Sequence, residues 1–189
     1  MLDVNVWVSH YLSLSRGRQG SAAGQLVRSL FAGHCRLGPV QPIISYLMLD
    51  TVQEVLIRVG LPEALAEAAR NAVEASASGG VVGQAPYMVL GGGVQPMMEA
   101  EDGSVLDAAI GGRSDLLITH HIDDFAPGAR AGIDADCVRV NAKERPDVPV
   151  LRHAALRDGL VIASVFAAKS WLIDGTAPPA GVLERFRTF

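Results

Sequence analysis

Asp115-Leu116-Leu117-Ile118-Thr119 is the clearest strand in the chain. Its apolar residues follow one another without polar alternation, which fits a strand buried on both faces of a parallel sheet. His120-His121-Ile122-Asp123-Asp124-Phe125 then forms a loop at the carboxyl end of that strand. In an open α/β sheet, ligands and metals bind at that end. Upstream, Glu101-Asp102-Gly103-Ser104 opens a helix carrying Val105, Leu106, Ala108, Ala109 and Ile110, and Gly111-Gly112 stops it.

The same logic extends to the N-terminus. Leu2 to Val8 suggests a first strand running into a short helix, with Asp3-Val4-Asn5 at the strand's end. Ser21 to Ala32 fits a helix with Leu26, Val27, Leu30 and Phe31 on one face. Val40-Gln41-Pro42-Ile43-Ile44 suggests a second, short strand. Ser45 is placed to cap a helix whose Met48, Leu49, Val52, Val55, Leu56 and Val59 recur at helical spacing. Pro62 sits in the first turn of the next helix, which runs to about Ala75 with Leu65 and Ala69 inward. Ser76 to Pro96 is the least regular stretch; Val81-Val82, Val89-Leu90 and Gly91-Gly92-Gly93 suit a loop, a hairpin or a short strand. The triple glycine lacks the Lys-Ser/Thr of a phosphate-binding loop. Cys137-Val138-Arg139-Val140, Val148-Leu151 and Leu160-Ala163 are strand-like, and Ala167 to Leu172 suits a short helix.

Strands alternating with helices imply right-handed crossovers. The expected fold is α/β, a three-layer α/β/α arrangement around a central, mainly parallel sheet. The expected organisation is one domain over residues 1–140, with 141–189 as a C-terminal extension packed on it.

Composition bounds the function. The 189 residues are 49% hydrophobic, with a net charge of −4 and a mean hydropathy of +0.26. No apolar run approaches the ~18–20 residues that span a bilayer, so no membrane partner is expected. No basic segment followed by an apolar stretch marks a secretory signal, and a cytoplasmic location follows as an expectation. Cys35 and Cys137 form no CxxC pattern and suit reduced thiols. The negative charge argues against a broad nucleic-acid-coating surface, though not against an enzyme that grips a few phosphates through metal ions. Lys143 and Lys169 are the only lysines; the remaining basic side chains are Arg.

The acids stand at the ends of successive segments: Asp3, then Asp50 and Glu54, then Asp102, then Asp123-Asp124. Hard divalent cations take oxygen ligands, and Mg²⁺ is held by one or two carboxylates with water and substrate phosphate. The ordered set formed by Asp3-Val4-Asn5, Ile44-Ser45 to Val55-Leu56, Asp102 to Ala109, and Asp115 to Phe125 resembles a PIN domain over roughly residues 1–140. Many PIN proteins are metal-dependent ribonucleases, and a large group, including the VapC type, are toxins of toxin–antitoxin pairs. The resemblance implies an endoribonuclease that cleaves single-stranded RNA with Mg²⁺ or Mn²⁺. It implies catalytic roles for Asp3, Asp50, Asp102 and Asp124, with Asp3 and Asp102 as direct metal ligands. Asn5 and Thr119 would orient the acids by hydrogen bonds. It also implies an RNA substrate, single-stranded or structured, a cognate antitoxin and a homodimer.

Two stations depart from the family's pattern. The acid usual in the second falls at Thr51, which leaves Asp50 as candidate and Glu54 as second choice, or a plain solvated helix face. In the fourth, His121 occupies a position where many relatives carry an acid, leaving Asp124 with Asp123 as deputy. His120 and His121 also raise a transition-metal site, though adjacent residues usually point apart. Asp102 alone also suits a helix cap. The departures keep a second class open: a PIN-like module that binds RNA or protein without cutting. A haloacid-dehalogenase-like phosphatase would need a second Asp where Asn5 stands.

Overall fold

The computed structural model describes residues 1–79, 88–89, 100–125, 135–142, 145–156 and 160–185. It is a mixed α/β protein. The helices are α1 (Val4–Ser15), α2 (Ala22–Phe31), α3 (Tyr46–Arg58), α4 (Glu63–Gly79), α5 (Ala100–Gly111), α6 (Ile122–Phe125), α7 (Val165–Lys169) and α8 (Ala180–Arg185). A π-helical turn, Ser170–Asp174, continues α7. The strands are β1 (His34–Cys35), β2 (Gly38–Pro39), β3 (Ile44–Ser45), β4 (Met88–Val89), β5 (Leu116–Thr119), β6 (Ala135–Ala142), β7 (Arg145–Leu156) and β8 (Val161–Ser164).

The largest sheet runs in the order β5-β8-β7-β6. β5 pairs β8 in parallel, with Leu117 opposite Ile162 and Thr119 opposite Ser164. On the other edge of β5, Leu2 forms a single parallel bridge to Ile118, closed by the Asp3 amide donating to the Ile118 carbonyl at 2.9 Å and the Ile118 amide to Met1 at 3.0 Å. β7 is antiparallel to both β8 and β6. Only residues 143–144 separate β6 from β7, and so short a connection joins antiparallel strands, because a parallel crossover needs a dozen residues or more. The expected mainly parallel sheet is thus parallel around β5 and antiparallel beyond β8. Of the residues after 140, β8 lies directly beside β5.

Several local expectations need correction. The expected first strand shrinks to Leu2, and Val4 to Val8 are helical. Alternating valines favour a strand, but Val4, Val6, Trp7 and Val8 are all buried. A helix buried around most of its circumference loses the polar face that marks it in sequence. The second strand is confined to Ile44–Ser45, which pairs in parallel with β4; Pro42 has no amide to extend the ladder. α4 runs past Ala75 to Gly79, and Leu65, expected inward, is 55% exposed while Ala66, Ala69 and Val73 pack. The stretch after Thr119 is a loop only at His120-His121; α6 follows. Val81-Val82 and Gly91–Gly93 lie outside the described residues.

One core holds these elements together. α1 packs against α2, α3 and β5; α3 against α4; α7 against α2 and the sheet. Leu49, Val52, Leu56, Val105, Leu117, Ile162 and Phe125 are fully buried. Each such side chain contributes about 1.5–3 kcal/mol relative to exposure. Ser45 caps α3 by accepting the Met48 amide. Among the described residues no helix is long and apolar enough to cross a membrane.

Candidate functional site

Asp3 is placed by two elements at once. Its amide belongs to the bridge with β5, and its backbone (φ −67, ψ 156) is the cap position from which α1 starts. The carboxylate does not cap the helix. Its Oδ2 accepts the Thr119 hydroxyl at 2.6 Å and the Asn5 side-chain amide. Thr119 Oγ1 in turn accepts the His121 backbone amide at 2.9 Å and Asn5 Nδ2 at 3.1 Å. Asn5 Oδ1 accepts the His120 amide at 3.0 Å. Asn5 and Thr119 thus lock the end of β5, the loop after it and Asp3 into one network. Each member fixes another's rotamer, and Thr119 is wholly buried.

Asp3 is only 3% exposed. Burial pushes its carboxyl above the ordinary value of 3.8; the Thr119 hydroxyl, the Val4 amide, the His121 charge and Asn5 pull the other way without offsetting it. Among the described residues only the His121 charge acts on this acid, and it does not offset burial; a bound cation would add the positive charge that does. Partial shielding of the His120 ring, then the neighbouring His121, hold His120 below the ordinary imidazole value.

Asp3 faces a cleft of about 600 Å³. Glu101 and Asp102, both in the first turn of α5, line the same cleft, as do His120 and His121. Val55 from α3 closes part of the wall. Sequence positions nearly a hundred residues apart, Asp3 and Asp102, therefore meet at one opening.

The second station does not reach it. Asp50 is on the outside of α3, its side chain 61% exposed, 3.2 Å from Arg70 of α4. Glu54 is exposed, and Thr51 turns its hydroxyl back to the Leu47 carbonyl at 2.8 Å. At about 100° per residue, Asp50 stands roughly 140° around the helix from Val55 and Glu54 about 100°. Asp50, expected as a catalytic acid, is thus placed against Arg70 and not among the residues lining this cleft. Asp124 sits in α6, 3.9 Å from His121 Nδ1, beside the cleft rather than among the residues lining it. Asp123 lies in the same turn, its side chain outside the described ones.

Carboxylate oxygens, here from the buried Asp3, the half-buried Asp102 and the exposed Glu101, suit a hard divalent cation better than a soft one. Among the described residues, no group of three or more His, Cys, Asp or Glu side chains is placed to hold a metal ion. Asp3 and Asp102 are two acids on this opening that could each offer an oxygen to a cation whose other positions are filled by water and substrate.

Sequence reasoning missed part of the wall. Ser9, Ser13 and Arg16 of α1 and its exit, with Arg18 beyond, line the cleft. The signal was present: Asn5, Ser9 and Ser13 are four apart, one stripe on a helix. It was hidden because this segment looked like a strand.

The chain matches no family model, no curated protein and no solved structure.

Proposed function

We propose that the chain is a metal-dependent endoribonuclease acting on single-stranded RNA, as the toxin of a cytoplasmic toxin–antitoxin pair. The observation that carries this is the buried Asp3 carboxylate, fixed by Asn5 and Thr119 in a cleft it shares with Asp102. The fold we infer is a PIN-like three-layer α/β/α arrangement. The parallel run from Leu2 through β5 to β8, with α1 and α7 packed on β5, supports it.

In this mechanism Asp3 and Asp102 would hold Mg²⁺ or Mn²⁺, which when bound would supply an activated water and neutralise charge on the scissile phosphate. Asn5 and Thr119 keep the Asp3 oxygens aimed, so no reorientation is needed when substrate arrives. His120, whose pKa favours the neutral imidazole, accepts or returns a proton at a ring nitrogen. Asp124 biases the His121 ring through its 3.9 Å approach. The chain's cognate antitoxin and a second copy are the partners this role calls for.

The outward turn of Asp50 favours a second reading, a PIN-like module that binds RNA or protein without cutting it. One experiment separates the two. A mixed-sequence single-stranded RNA is incubated with Mg²⁺, Mn²⁺ or EDTA, with Asp3→Asn and Asp102→Asn beside the parent. Metal-dependent cutting lost in both variants supports the nuclease. Binding without cutting under any condition supports the module.

A further inference from the structure

We propose that α1 and its exit loop form a phosphate-backbone subsite, in which Arg16 and Arg18 grip the strand away from Asp3. The inference deepens the nuclease reading and rests on it. Asn5, Ser9, Ser13 and Arg16 all line the cleft and recur every three or four residues, so they make one stripe along α1. From Asn5 to Arg16 that stripe is about 16 Å long at roughly 1.5 Å per residue. One end holds the buried acid, the other the guanidinium.

The charges are arranged for a third party. Arg16 and Arg18 are exposed and share a cleft with Asp3, Glu101 and Asp102. Yet neither arginine forms an ion pair among the described residues, whereas Arg70 is bound to both Asp50 and Glu74. The Ser9 and Ser13 hydroxyls likewise have no hydrogen-bond partner among the described residues, while Ser15 bonds back to Leu12. Guanidinium groups bind phosphate oxygens in fork geometry, and serine hydroxyls commonly contact backbone phosphates. A chain of net charge −4 has little general attraction for nucleic acid, so a local cationic wall is where a phosphodiester strand gains a hold. Such contacts read the backbone and not the bases. They therefore predict binding that is indifferent to sequence and shared by RNA and DNA single strands.

The test is binding in EDTA, where no cutting occurs. Fluorescein-labelled single-stranded RNA, and DNA of the same sequence, are titrated by anisotropy across a salt series. The Arg16→Gln/Arg18→Gln double variant should bind about tenfold more weakly, and its log K against log salt slope should flatten by roughly 1.4, two phosphate contacts at ~0.7 each. The Arg16→Lys/Arg18→Lys variant should keep the parent's slope. Both sites are exposed, and circular dichroism checks that the variants fold. Unchanged affinity and slope in the glutamine variant overturn the subsite, while metal-dependent cutting by the same protein leaves the nuclease reading standing. Arginine-dependent binding by a parent that never cuts keeps the subsite and overturns the nuclease. Loss of RNA binding with DNA binding unaffected overturns the backbone assignment.

Discussion

Thr119 donates its hydroxyl to Asp3 across 2.6 Å, joining residues 116 positions apart. It is the shortest route by which the end of β5 controls the acid on the neighbouring bridge. Removing the hydroxyl at constant shape isolates it. Thr119→Val leaves the Asp3 oxygen and the His121 amide without that partner in a buried site, which costs about 1–3 kcal/mol. Urea denaturation of the parent, Thr119→Val and Thr119→Ser checks this. Serine should recover most of the loss, and a valine variant as stable as the parent would refute the network's role.

Asp3 sets a pH dependence of its own. Its folded pKa is raised above the ordinary 3.8, chiefly by burial. The folded state therefore holds its proton more tightly than the unfolded chain. The resulting stabilisation is full below 3.8 and is lost as pH rises through the folded value. Asp3→Asn should raise the melting temperature at neutral pH in EDTA, and the gain should shrink on acidification. Mn²⁺ should raise the melting temperature of the parent and not of the variant. An Asp3→Asn protein that melts lower than the parent in EDTA at every pH would count against the buried charge.

Asp50 and Asp102 should separate cleanly. Asp50 makes an exposed ion pair with Arg70, and such pairs contribute at most about 1 kcal/mol. Asp50→Asn should leave RNA cleavage unchanged, while Asp102→Asn should abolish it. Equal loss in both would return Asp50 to the site.

His10 titrates in the opposite sense to Asp3. It is 5% exposed, its ring 4.9 Å from that of Tyr11, and its Nδ1 is buried with no hydrogen-bond partner among the described residues. Burial, then the Arg28 charge, lower its pKa below 6.5. Here the unfolded chain binds the proton more tightly, so stability present above 6.5 is lost as pH falls through 6.5 toward the folded value. Chemical denaturation of His10→Phe from pH 7.5 to 5, conditions chosen to bracket the ordinary imidazole value, should show a flatter profile than the parent. Identical profiles would mean the ring gains a proton without cost.

What the sequence made legible follows from where its signals are local. Helical spacing located α2, α3 and α5, and Asp115 to Thr119 announced β5, because each repeats a pattern within a dozen residues. The proximity of Asp3, Asn5 and Thr119 was legible for a different reason: both segments stop at the same end of neighbouring strands. The facing of Asp50 was not, because one residue's shift on a helix changes which side a carboxylate takes, and only the packing of Val55 against the cleft fixes it. The α1 stripe was obscured by valines whose burial hides the helical period. The pairing of β5 with β8 joins residues 45 positions apart, which no short window contains.

The bridge from Leu2 to Ile118 also has a kinetic consequence. β5 gains its other neighbour only from β8, at Val161–Ser164. The strand that orients Asp3 through Thr119 is therefore itself held by a neighbour 45 positions further along the chain. Closing such distant contacts carries a large loop entropy before any contact repays it. The setting of Asp3 is thus completed by pairing between distant segments, and its assembly should be slower than helix formation in α1 alone.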